Sequence, residues 1–122
     1  MTTILLIEDS EYQRLYIKAM LNSMGFHVIE ACDGEQAIKL FDKTTIDLVM
    51  TDIFMPEKEG LSTIMELKEL SSNLKIIAMS SGNKALPNAL DLATEFGADV
   101  CIRKPFEINL LRDTLSKCLD PE

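Results

Sequence analysis

Histidine is almost missing from this chain: His27 is the only one in 122 residues. That excludes a multi-histidine metal site and leaves no Cys–His nucleophile pair nearby. His27 itself reads as a polar residue on a strand. Cysteine is scarce too. Cys32, Cys101 and Cys118 are three, an odd number, widely spaced and without a CxxC. With 47% hydrophobic residues, one real core needs no disulfide staple. Cys32 and Cys101 lie in apolar runs and read as small core residues. Positive charge is also short, with 12 Lys and Arg against 20 Asp and Glu and a net charge of -8. Such a balance lacks the electrostatic footprint of a nucleic-acid binder and is repelled by anionic membrane surfaces. No apolar run approaches the ~20 residues a membrane span needs. Met1-Thr2-Thr3 leads straight into Ile4-Leu5-Leu6-Ile7, with no basic stretch and no cleavage site of a signal peptide. The expected compartment is the cytoplasm.

What the chain does have is alternation. Short apolar runs at Thr3–Ile7, His27–Ala31, Leu48–Met50, Lys75–Met79 and Val100–Ile102 are separated by amphipathic stretches. Several runs are apolar without alternation, as in strands covered on both faces. The first helical stretch opens at Ser10-Glu11-Tyr12-Gln13, a capping-box pattern, and closes at Gly25. It carries Leu15, Ala19, Met20, Leu21 and Met24 near helical spacing. The second opens at Asp33-Gly34-Glu35-Gln36 and carries Ala37, Leu40 and Phe41. The third follows Gly60, with Ile64, Leu67 and Leu70; the fourth runs from about Pro87 to Phe96, ending at Gly97. The fifth carries Leu110, Leu111, Leu115 and Leu119. Five strands and five helices in strict alternation predict an α/β domain: a parallel sheet with helices on both faces. Residues 1–122 read as one domain folded over about 2–119, with Pro121 marking the end of the folded part.

Polar residues follow the strands: Glu8-Asp9 after the first, Asp52 after the third, Ser80 and Ser81 after the fourth, Lys104-Pro105 after the fifth. In a parallel sheet these emerge along one edge, the edge where open α/β sheets bind ligands. Three carboxylates brought together repel one another unless a cation joins them. Oxygen ligands without His or Cys select a hard ion such as Mg²⁺, or Mn²⁺. A lysine and a hydroxyl beside such a cation make a phosphoryl-binding site.

Leu5-Leu6-Ile7-Glu8-Asp9-Ser10, Asp47-Leu48-Val49-Met50-Thr51-Asp52-Ile53-Phe54-Met55-Pro56, Gly60, Met79-Ser80, Gly97-Ala98-Asp99 and Lys104-Pro105-Phe106 stand in order along the whole chain. On these motifs the sequence resembles the receiver domains of two-component response regulators, the family of the chemotaxis receiver. The resemblance implies a flavodoxin-like (βα)5 fold with sheet order 2-1-3-4-5. It implies that Asp52 is the phosphoacceptor, taking its phosphoryl group from a histidine kinase or phosphotransfer protein. Asp9 and Asp52 resemble direct Mg²⁺ ligands, Glu8 a ligand through water, and the backbone carbonyl of Phe54 a further ligand. Ser80 matches the switch hydroxyl and Lys104 the phosphoryl-contacting lysine, and the Lys104–Pro105 bond is expected to be cis. Phe54 and Gly82 occupy positions that tune phosphoryl lifetime in the family. Such a domain is no enzyme on other substrates. It catalyses its own phosphorylation and dephosphorylation and signals to a downstream protein, without contacting nucleic acid or membrane.

Two positions depart from the family pattern. Cys101 stands three residues before Lys104, where many receivers carry a Tyr or Phe ring that swings on phosphorylation. The segment Ser81–Pro87 is longer than in the chemotaxis receiver, which points to a different output surface around the fourth helix. Phe106 reads as core packing, and the Met residues as core or helix-surface filler. Two rivals use similar parts. A haloacid-dehalogenase-type phosphatase also has an Asp nucleophile and Mg²⁺, but carries it after the first strand with a second Asp two residues on; Glu8-Asp9-Ser10-Glu11 lacks that pattern. A flavodoxin-like redox module needs a Ser/Thr/Gly-rich phosphate loop after the first strand, where Glu8-Asp9 would repel a flavin phosphate.

Overall fold

The computed structural model describes residues 2–53, 60–80 and 89–119, with the side chains of all but 89–92. Strands β1 (Thr3–Ile7), β2 (His27–Ala31), β3 (Leu48–Asp52), β4 (Lys75–Ser80) and β5 (Val100–Arg103) alternate with helices. The helices are α1 (Glu11–Ser23), α2 (Gly34–Leu40), α3 (Gly60–Leu70), α4 (Ala89–Phe96) and α5 (Ile108–Leu119). The strands form one parallel sheet in the order β2-β1-β3-β4-β5. The start of the fourth helix expected near Pro87 lies outside the described residues.

Successive side chains of a strand point to opposite faces, and here both faces are buried. Ile4 and Leu6 of β1 join Leu48, Met50, Ile77 and Met79 against Ile17, Met20 and Leu21 of α1 and Leu111, Leu115 and Cys118 of α5. Leu5 and Ile7 join Val49, Ile76 and Ala78 against Ala37, Ile64, Leu67 and Ala93 on the other face. This double burial is why the strands lack polar alternation. Phe106 and Met20, Met50 and Met79 are core, whereas Met65 is 45% exposed.

Three expectations are corrected. The buried stripe of α1 is Ile17, Met20 and Leu21, while Leu15 is exposed; spacings of three and four from Ile17 make a single stripe that Leu15 and Ala19 fall outside. Cys32 is exposed and Cys101 half-buried, so the buried cysteine is Cys118. Cys32 lies just past the end of β2, an edge strand whose residues are mostly only partly covered. Finally, β3 and β4 run on to Asp52 and Ser80, so these polar residues close the strands rather than follow them.

The α1–β2 seam is held by charge. Glu30 accepts from Arg14 Nε at 3.1 Å and Lys18 Nζ at 2.7 Å. The Lys18 hydrogen bond outweighs partial burial and, with Arg14, holds the Glu30 carboxyl below its ordinary range. A carboxyl lowered in the folded state adds stability above its unfolded pKa, and that stability is lost as pH falls through the folded value. Glu30→Gln should therefore cost about 0.5–1 kcal/mol at pH 7, read by urea denaturation. The gap to wild type should close below the ordinary glutamate range; a gap that widens on acidification contradicts this pairing.

Candidate functional site

Parallel register brings the polar strand ends together. Ile7 pairs with Thr51, Asp52 with Met79 and Ser80 with Arg103. One step beyond β1 is Glu8, whose backbone N–H donates to Ala31 O at 3.0 Å. One step beyond β5 is Lys104, whose N–H donates to Ser80 O at 2.6 Å. The Lys104–Pro105 peptide bond is cis. Carboxylate oxygens of Glu8, Asp9 and Asp52 lie within 4.8 Å of one another. Glu8 is 1% exposed and Asp52 5%, whereas Asp9 is open to solvent.

Lys104 reaches into this group. Its ammonium donates to Glu8 Oε1 and Asp52 Oδ2, both at 2.8 Å. Burial alone would lower the lysine's pKa, but the hydrogen bonds and charges of Asp52 and Glu8 outweigh it and raise it. Glu8 is also raised: burial is the largest cause, the nearby Asp52 charge adds to it, and Lys104 opposes both. Among the described residues, three carboxylates and one ammonium carry a formal charge of -2, which one divalent cation matches. The donors are all oxygens, which suits a hard cation, and exposed Asp9 gives the entry side.

The neighbouring backbone is packed too tightly for side chains. A Cβ on Gly60, the first residue of α3, would meet the Asp52 carbonyl oxygen and lie 2.7 Å from Ile53 Cα. Gly60 N–H instead donates to Ile53 O at 2.9 Å, seating α3 on the end of β3. Gly97 ends α4 at a positive φ of 129°, and Asp99 Oδ2 accepts from Ile76 N–H at 2.9 Å, tying the β5 entry to β4. Those two motif positions are structural.

Ser80 is buried at the end of β4, beside the strand that delivers Lys104. Cys101 lies three residues before Lys104, outside the carboxylate group, with its sulfur 3.5 Å from Thr94 Oγ1 on α4. Phe54, Gly82 and the segment 81–87 lie outside the described residues. Two site residues went unread in the sequence. Arg14 donates to the Glu8 carbonyl oxygen at 2.8 Å while it holds Glu30. Gln13 Oε1 accepts from Lys104 Nζ at 2.6 Å. The capping-box pattern hid Gln13. Only half of that box forms: Ser10 Oγ accepts from Gln13 N–H at 3.3 Å, but Ser10 N–H donates to Glu8 Oε2 at 3.2 Å.

Known proteins resemble this chain. A family profile described as the response regulator receiver domain matches residues 4–116. The chain is 34% identical to the chemotaxis protein CheY of Bacillus subtilis, over 96% of this chain and 97% of that protein. It is 32% identical to the autoinducer 1 sensor kinase/phosphatase LuxN of Vibrio campbellii over 97% of this chain. Only 14% of LuxN is spanned. The response regulator protein TrrA of Thermotoga maritima, solved in complex with Mg²⁺–BeF, superposes with a TM-score of 0.86 at 30% identity. That match covers 98% of this chain and 100% of the other.

Lys104→Met should leave two buried carboxylates without their ammonium and cost about 3 kcal/mol in metal-free urea denaturation at pH 7. A carboxyl raised in the folded state gains stability as pH falls from its folded value to its ordinary one. The loss in Lys104→Met should therefore shrink in that window as Glu8 takes a proton. The Lys104 ion pairs follow pH in the same sense but in a higher window: they contribute fully below the ordinary lysine value and are lost as pH rises through the raised one. An unchanged denaturation midpoint at pH 7 contradicts the assignment.

Proposed function

The chain belongs to the response regulator receiver family of two-component systems, and from that premise we propose that Asp52 accepts a phosphoryl group from a phosphohistidine. The observation that carries this reading is the Lys104 ammonium 2.8 Å from Asp52 Oδ2 within a three-carboxylate group. In this reading Asp9 and Asp52 would hold Mg²⁺ or Mn²⁺ directly and Glu8 through water, with the backbone carbonyl of Phe54, outside the described residues, as the further ligand. Bound there, the cation offsets charge on the transferring phosphoryl group. The TrrA structure, which carries Mg²⁺–BeF, supports that assignment by likeness.

The chain's own groups do the rest. An Asp52 carboxylate oxygen forms the bond to phosphorus as the P–N bond to the donor imidazole breaks, and the imidazole keeps the electron pair. Lys104 donates to a phosphoryl oxygen, and the Ser80 hydroxyl donates to another. Phosphorylation adds about -1.5 to -2 charge at Asp52. Drawing Ser80 inward moves the chain that follows β4 and shifts a population at the β4–α4, α4 and β5 surface. Cys101 has no ring to swing, so the backbone route carries the change. Water later hydrolyses the acyl phosphate, with Phe54 and Gly82 setting its lifetime.

Residues 1–122 act as one receiver domain, folded over about 2–119. Its partners are a histidine kinase or phosphotransfer protein upstream and a protein target downstream. The cytoplasm, where such kinases load their histidines, is its compartment. With Mg²⁺ and acetyl phosphate, intact mass should rise by one phosphoryl group, and Asp52→Asn should abolish the gain. Labelling of Asp52→Asn to the wild-type extent contradicts the proposal.

A further inference from the structure

Lys104 has three acceptors among the described residues: Glu8 Oε1, Asp52 Oδ2 and Gln13 Oε1. They match the three N–H donors of an ammonium. They are not equivalent. Glu8 and Asp52 belong to the carboxylate group, so a divalent cation there draws on the same lone pairs. A phosphoryl group on Asp52 consumes that carboxylate altogether. The Gln13 carbonyl carries no charge and lies outside the carboxylate group. Its backbone is fixed in the first turn of α1 by the Ser10 cap.

We propose that Gln13 is a positioning residue, which anchors the Lys104 ammonium beside Asp52 while cation and phosphoryl group claim the carboxylates, and so speeds phosphoryl transfer. This rests on the reading of Asp52 as phosphoacceptor. A lysine side chain has many rotamers, and ordering it during the reaction costs entropy; an anchor that both steps leave intact removes that cost from the barrier. With acetyl phosphate, Asp52 gains a P–O bond, the P–O bond to the acetyl group breaks, and acetate leaves with its electron pair.

The test follows phosphorylation of the full chain by acetyl phosphate at saturating Mg²⁺, using intact mass. Gln13→Met keeps side-chain length and helix propensity but removes the acceptor. It should slow labelling about three- to tenfold with an unchanged melting temperature, and Gln13→Ala should slow it by a similar factor. In both variants the Lys104 Cε–Hε NMR signal should shift, since its ammonium loses an anchor. Wild-type rates in Gln13→Met, or an unmoved Lys104 signal, overturn the inference while a labelled wild type leaves the phosphoacceptor reading standing. An unlabelled wild type overturns both.

Discussion

The Lys104 ammonium between Glu8 and Asp52 is the interaction on which the site depends. Two carboxylates that are almost fully buried cannot both stay charged without a cation beside them. The ammonium comes from the far side of the sheet, past β3 and β4, and the Ser80 carbonyl receives its backbone N–H. Burial pushes Glu8 up even so. Among the described residues the site therefore keeps a net negative charge, which suits a divalent cation.

That demand explains features of the fold remote in sequence. β1, β3, β4 and β5 must end level with one another, because the last residues of β3 and β4 and the first residues beyond β1 and β5 deliver the groups. Parallel pairing with both faces buried fixes the register, since a slip by one residue would turn core side chains to the wrong face. Gly60 lets α3 begin against the backbone of Asp52 and Ile53. Arg14 ties the Glu8 carbonyl to Glu30 on the neighbouring strand. The carboxylate edge is therefore braced on the sides of β2 and α3 as well as through Lys104.

Much of this was legible beforehand. Unalternating runs such as Ile4–Ile7 announced strands buried on both faces, and acidic or basic residues after them marked one edge. Family motifs supplied the order of the sheet. The rest was hidden for physical reasons. Leu15 sat near helical spacing with Met20 and Leu21, but periodicity alone did not say that the true stripe is centred on Ile17. An apolar neighbourhood in sequence made Cys32 look buried, although an edge strand leaves its end open. Gln13 matched a local cap, and local pattern concealed a bond to a residue 91 positions away. Such a contact depends on the placing of α1 against the β5–α5 connection, which no spacing rule encodes.

Amide NMR spectra taken with beryllofluoride, with and without Mg²⁺, test whether this edge binds a phosphoryl group through Asp52, Lys104 and Ser80 with a divalent cation. Beryllofluoride alone should change nothing. With Mg²⁺, large shifts should appear at Asp52, Ser80 and Lys104 and extend into α4. Shifts independent of Mg²⁺, or absent from those three residues, would contradict such binding.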